Sequence, residues 1–152
     1  MTRDEVELLG DEIANMNKAS DHLWASLDRC AGLSGRENLS LEEQERLEAL
    51  CSRFARLSDI LTQRVMRLVD DLELIPGGTL LDRVFRAEKR GWVESADLLI
   101  RIRKLRNTIA HDYASENVAM IYSEVEQLTP ELLKMVPRVK AYADDLARRF
   151  HG

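Results

Sequence analysis

The chain has 152 residues, enough for one domain whose core needs neither disulfides nor a metal. Apolar residues make up 45%, charged residues 32% and aromatics only 5%, a balance that favours helices over sheets. The net charge of −5 excludes a protein that grips duplex DNA with its whole surface, so any nucleic-acid contact has to be local.

The first helix is expected over about residues 4–30. Val6, Leu9, Ile13, Met16, Ser20, Leu23, Leu27 and Cys30 step by three and four along one face. Asp4, Glu5 and Glu7 sit in its first turn, where the helix dipole favours them. Met16 and Trp24 read as core residues. AGLSGRENL (31–39) is a loop, with two glycines and an asparagine. Ser40 and Glu43 form a capping box that starts a long helix over about 41–73, with Leu47, Leu50, Phe54, Leu57, Leu61, Leu68 and Leu72 as its stripe. At 1.5 Å per residue it is about 48 Å long, so it either bends or offers a second surface to a partner.

Ile75-Pro76-Gly77-Gly78 breaks that helix. Thr79 and Asp82 start the next, which carries Leu80, Leu81, Val84, Phe85 and Ala87 and ends at Lys89-Arg90-Gly91. Ser95 caps a helix with Leu98, Leu99, Ile102, Leu105 and Ile109 on its apolar side. A further helix is expected over 115–127, with Val118, Ile121, Tyr122, Val125 and Leu128. Thr129-Pro130 reads as an N-cap followed by an N1 proline, and Pro137 predicts a break at Val136 or a kink, with 138–150 finishing the chain. No segment alternates with period two. The reading is all-α: one domain over 1–152, a bundle of four to five main helices.

Cys30 and Cys51 fall on apolar helix faces and read as buried free thiols, which fits a cytoplasmic protein. MTRDEVELLGDE is too charged for a signal peptide, and no apolar run approaches the roughly 18 residues of a membrane span. GxxxxGK[ST], GxGxxG and HExxH are absent, and His22, His111 and His151 lie far apart, so neither cofactor nor metal is expected.

The chemistry concentrates in RIRKLRNTIAHDY (101–113). Arg101, Arg103, Lys104 and Arg106 make a local basic patch in an acidic chain, a candidate contact for RNA. A surface helix end, where cations are favoured anyway, is the bland alternative. Asn107 and His111 are four apart and share a face; Arg106 and Tyr113 share the neighbouring one. Arg106 and His111 differ by about 140° on a straight helix. Either the arginine curls round, or the helix bends, or a second copy supplies one of the two groups. RNA carries its own nucleophile, the 2′-OH. A histidine can move the protons and an arginine can hold the phosphate as charge builds, so such a pair could cleave RNA but not DNA.

Arg106-Asn107-Thr108-Ile109-Ala110-His111-Asp112-Tyr113 resembles the R-x4-H-x-Y signature of HEPN domains, in the branch of HepT-like toxins. ERLEALCSRFARLSDILTQRV (45–65), GTLLDRVFRAEKRG (78–91) and SADLLIRIRKLRNTIAHDY (95–113) also look like that branch. The resemblance implies a HEPN-type bundle that dimerises and brings two motifs into one cleft. It implies the toxin of a type VII-like toxin–antitoxin pair, a metal-independent endoribonuclease with Arg106 and His111 catalytic and Asn107 in support. It further implies silencing by a minimal, MntA-like nucleotidyltransferase that transfers AMP to Tyr113. The alternative is a non-catalytic subunit that binds that nucleotidyltransferase and serves as its substrate.

Overall fold

The computed structural model describes residues 1–111 and 118–151. Helices α1 (Arg3–Arg29), α2 (Leu41–Asp59), α3 (Met66–Leu72), α4 (Leu80–Lys89), α5 (Ala96–His111) and α6 (Val118–His151) account for most of them, and among the described residues there is no strand. A π-helical turn over Ile60–Val65 joins α2 to α3 without a break, so these three segments form one rod. The all-α bundle expected from the sequence is what the chain forms.

Local signals set the ends. Thr2 caps α1 through a box with Glu5, Ser40 caps α2 with Glu43, and Thr79 caps α4 with Asp82. Gly78 (φ 87°) allows the last of these, since a Cβ there would lie 2.6 Å from Asp82 Oδ2. Gly91 (φ 79°) closes α4 as expected. The rod closes earlier than the Pro-Gly-Gly signal: Leu74 takes the left-handed conformation (φ 58°), and Ile75 N–H donates to Asp70 O at 2.9 Å.

One contiguous core fills the bundle. Met16 and Leu23 of α1, Leu50, Phe54 and Leu57 of α2, Ile102 of α5 and Leu132 and Val139 of α6 are fully buried. Helix α1 packs on α2 and α6, and α5 packs on α2, α4 and α6. Cys30 and Cys51 are buried free thiols, and burial pushes the Cys51 thiol up to about 12.

Three expectations are corrected. Pro130 and Pro137 do not divide the C-terminal region: α6 runs through both as one 34-residue helix. Thr129 is therefore no N-cap; its hydroxyl is buried in mid-helix and donates to Val125 O at 2.6 Å. Val125, Leu128, Leu132, Met135 and Val139 keep one buried stripe across both prolines, so packing holds the helix where propensity would end it. Trp24 is 50% exposed rather than core. On α4, Leu81 and Phe85 face outward while Arg83 is buried, because Val84 and Ala87 fill the narrow contact with α5 and the rod.

A polar cluster ties the far end of the rod. Asp70, 2% exposed, accepts from Arg86 and Arg90, and Arg90 also reaches Glu73 at 2.9 Å. Tyr142 of α6 donates to Glu73 at 2.7 Å, and the Arg90 guanidinium lies over the Trp92 ring at 5.0 Å. No helix among the described residues is long and apolar enough to cross a membrane. Leu74 is 89% exposed, so replacing it loses no packing. Leu74→Gly is expected to raise stability by about 1 kcal/mol, the cost of the left-handed conformation for a residue with a Cβ, as a higher urea midpoint.

Candidate functional site

Asp59 is the last residue of α2 before the π-helical turn, and α5 crosses beside it. Its carboxylate receives two arginines one turn apart on α5. Arg106 grips it side-on, with Nε 2.7 Å from Oδ1 and Nη2 2.9 Å from Oδ2. Arg103 donates from Nη1 to the same Oδ1 at 2.8 Å and to Ser58 Oγ at 3.0 Å. Such a fork fixes both the position and the plane of the Arg106 guanidinium.

The electrostatics follow from this geometry. Burial works to raise the Asp59 pKa, but the hydrogen bonds from Arg106 and Arg103 outweigh it and hold the carboxyl below its ordinary value. The same bond, donated to Asp59, raises the Arg106 pKa. Two guanidinium groups share one carboxylate, which leaves one positive charge over. Arg106 spends Nε–H and one Nη2–H on Asp59. Its Nη1 amino group lies 3.5 Å from Asn107 Oδ1, at the long limit of a hydrogen bond, and keeps donor capacity for an incoming anion.

An open cleft of about 780 Å³ lies against this group. Ser52, Ala55, Arg56, Asp59, Ile60, Gln63 and Arg64 of the rod line one side, and Arg103 and Arg106 of α5 the other. Four arginines meet one carboxylate there, in a chain that is acidic as a whole.

The residues singled out from the sequence are divided by the fold. Arg106 lines the cleft with its side chain 29% exposed. Asn107 is exposed on the next residue. His111 is exposed at the last turn of α5, and among the described residues no hydrogen bond or ion pair joins it to Arg106. Tyr113 lies outside the described residues. The basic patch is not one patch. Arg103 is buried against Ser58 and Asp59, Lys104 is exposed, and Arg101 lines a separate cleft beside Glu94, Asp97 and Glu131. A helix shows successive residues to different sides, so proximity in the chain did not make them one surface.

Sequence reasoning missed Asp59. Its signal was present: between Arg53 and Arg67 stand four arginines and this single acid. Among the described residues no group of three or more His, Cys, Asp or Glu side chains converges as a metal would require. The chain matches no family model, no curated protein and no solved structure.

A carboxyl whose folded pKa is depressed stabilises the fold above its unfolded pKa, and that contribution fades as pH falls through the folded value. Asp59→Asn is therefore expected to lower stability by a constant amount down to about pH 5 and by a shrinking amount below about pH 4, in urea unfolding followed across pH.

Proposed function

We propose that the chain is a metal-independent endoribonuclease of the HEPN type, the toxin of a HepT-like toxin–antitoxin pair, with Arg106 and His111 as its catalytic residues. The supporting observation is Arg106 itself. It is locked in plane by Asp59 and keeps spare donor capacity on its Nη1 amino group beside an open basic cleft, in a helix that ends on the histidine of an R-x4-H-x-Y motif.

The chemistry needs few parts. His111 accepts the proton of a ribose 2′-OH, and the 2′-oxygen attacks the adjacent phosphorus. The bond to the 5′-oxygen breaks, and that oxygen takes up a proton, in this reading from the histidine of a second copy. The products are a 2′,3′-cyclic phosphate and a 5′-hydroxyl. Arg106 holds the non-bridging oxygens as charge builds on them, and Asn107 steadies the arginine or the phosphate. Within one chain, Asp59 commits Arg106 to the cleft side of α5, while His111 stands about 140° further round. A homodimer that pairs the two ends of α5 solves this, so the site is composite. Tyr113 follows His111 by two residues and is the proposed acceptor of AMP from an MntA-like nucleotidyltransferase. The added phosphate would satisfy the free arginine donors and repel RNA. The protein acts in the cytoplasm.

The second reading, a non-catalytic subunit that the nucleotidyltransferase modifies, is favoured by one observation: Arg106 is already engaged by Asp59 and makes no contact with His111.

His111→Ala and Arg106→Ala are each expected to slow RNA cleavage by at least about 10²-fold while leaving thermal unfolding of the His111 variant unchanged. The assay is release of 2′,3′-cyclic phosphate ends from RNA, with DNA as the inert control. Full activity of the histidine variant, or none from the wild type, favours the second reading. Sedimentation at micromolar concentration is expected to give a dimer; a monomer that still cleaves RNA removes the composite site.

A further inference from the structure

The rod carries a second cationic element in the same cleft, apart from the R-x4-H motif. Arg56 and Arg64 both line it, one before and one within the π-helical turn. Both are exposed, and among the described residues neither makes a hydrogen bond or an ion pair. Some surface arginines find carboxylates, as Arg36 does with Glu43, Arg46 with Glu42 and Arg149 with Asp145, while Arg29, Arg67 and Arg101 are exposed without one among the described residues; what sets Arg56 and Arg64 apart is that both stand in the cleft beside Arg106.

The π turn explains how both reach one face. On an unbroken α-helix, the twelve residues from Ser52 to Arg64 would drift about 120° round the axis. A π turn closes i→i+5 and winds less per residue. That underwinding brings Gln63 and Arg64 back over the cleft in line with Ser52, Arg56 and Ile60. The backbone positions of Arg56 and Arg64 are then spaced by roughly 10–12 Å along the rod. Ala55 and Ile60 add apolar lining to the same cleft.

We infer that Arg56 and Arg64 form a phosphate-tracking subsite that holds the RNA backbone leading away from Arg106. It rests on the ribonuclease reading for the class of ligand. Planar guanidinium groups fork two oxygens of a phosphodiester. Their spacing is too long for one phosphate and suits two separate phosphates of one strand, with a nucleotide between them, and Gln63 supplies a neutral donor and acceptor there for ribose or base. Asp59 has a second consequence here. By sharing its one negative charge between Arg103 and Arg106, it leaves Arg56 and Arg64 as the full cations in the cleft.

The test uses the full chain and a short, fluorescein-labelled, 2′-O-methyl RNA, which binds but has no 2′-OH to react. Anisotropy titrations at several salt concentrations compare the wild type with Arg56→Gln/Arg64→Gln. Arg148→Gln/Arg149→Gln, at the far end of α6, is the charge-matched control. The double variant in the cleft is expected to bind at least about 10-fold more weakly, and its salt slope to fall by about 1.4, two phosphate contacts at about 0.7 each. Arg56→Lys/Arg64→Lys should keep the slope and lose part of the affinity, because charge remains while the fork is gone. Equal slope and affinity in the wild type and the glutamine variant overturn the subsite, as does a wild type that does not bind the oligomer. Cleavage of unmodified RNA is scored in parallel and separates the two ideas. Cleavage that needs His111 while binding ignores Arg56 and Arg64 sinks the subsite alone. A slope that falls as expected, with no cleavage of any RNA, sinks the ribonuclease reading alone.

Discussion

The Asp59 carboxylate stands where α2 gives way to the π-helical turn, and it binds α5 to the rod through Arg103 and Arg106. The pair is neither fully exposed nor fully buried: the side chains are 35% exposed for Asp59, 29% for Arg106 and 9% for Arg103. It therefore falls between the surface ion pair that contributes little and the buried one whose loss is severe. Its value lies in direction more than in strength. Arg103 is drawn inward and closes the contact with Ser58. Arg106 is left at the cleft wall with its plane fixed and donors to spare. The direction in which each of these two arginines points depends on that one carboxylate.

At the other end of the rod, Asp70 and Glu73 play a different part with the same residue types. Asp70 is almost wholly enclosed and gathers Arg86 and Arg90, and Glu73 adds Tyr142 from α6. These groups satisfy one another and lock α3, α4 and α6 together. The contrast separates structure from site. The Asp70 cluster leaves little donor capacity pointing out, whereas the Asp59 cluster opens onto a cleft with two further arginines that pair with none of the described residues. Polar groups that are complete among themselves hold a protein together, and those left incomplete at a surface are where a ligand can be read.

The helical plan could be read from particular residues. Ser40 with Glu43, Thr79 with Asp82 and Gly91 each mark an end where the structure has one, because a cap is a local hydrogen bond between near neighbours. The prolines misled for the converse reason. Pro137 speaks against a helix within its own turn, yet the stripe from Val125 to Val139 is buried on both sides of it, and that burial lies beyond any local signal. The outward Leu81 and Phe85 and the inward Arg83 were likewise out of reach, since amphipathic spacing gives a face but not which neighbour it meets. Of the residues that line the cleft, Arg106 was singled out from its chemistry near a helix end. Arg103 was misplaced, and Asp59, 47 residues before Arg106, was missed.

By itself the sequence determined where most helices begin, how most of them are capped, most of the leucines of the core, and that an arginine, an asparagine and a histidine close α5. Those are properties of spacing and of local hydrogen bonds, carried within a few residues. The tertiary structure alone decided that one rod would run through a π turn, that Arg103 would serve the fold while Arg106 faces a cleft, and that Arg56 and Arg64 would stand in that same cleft. Each of these depends on which helix packs against which. A carboxylate can choose its partners only after packing has brought distant side chains within hydrogen-bonding distance.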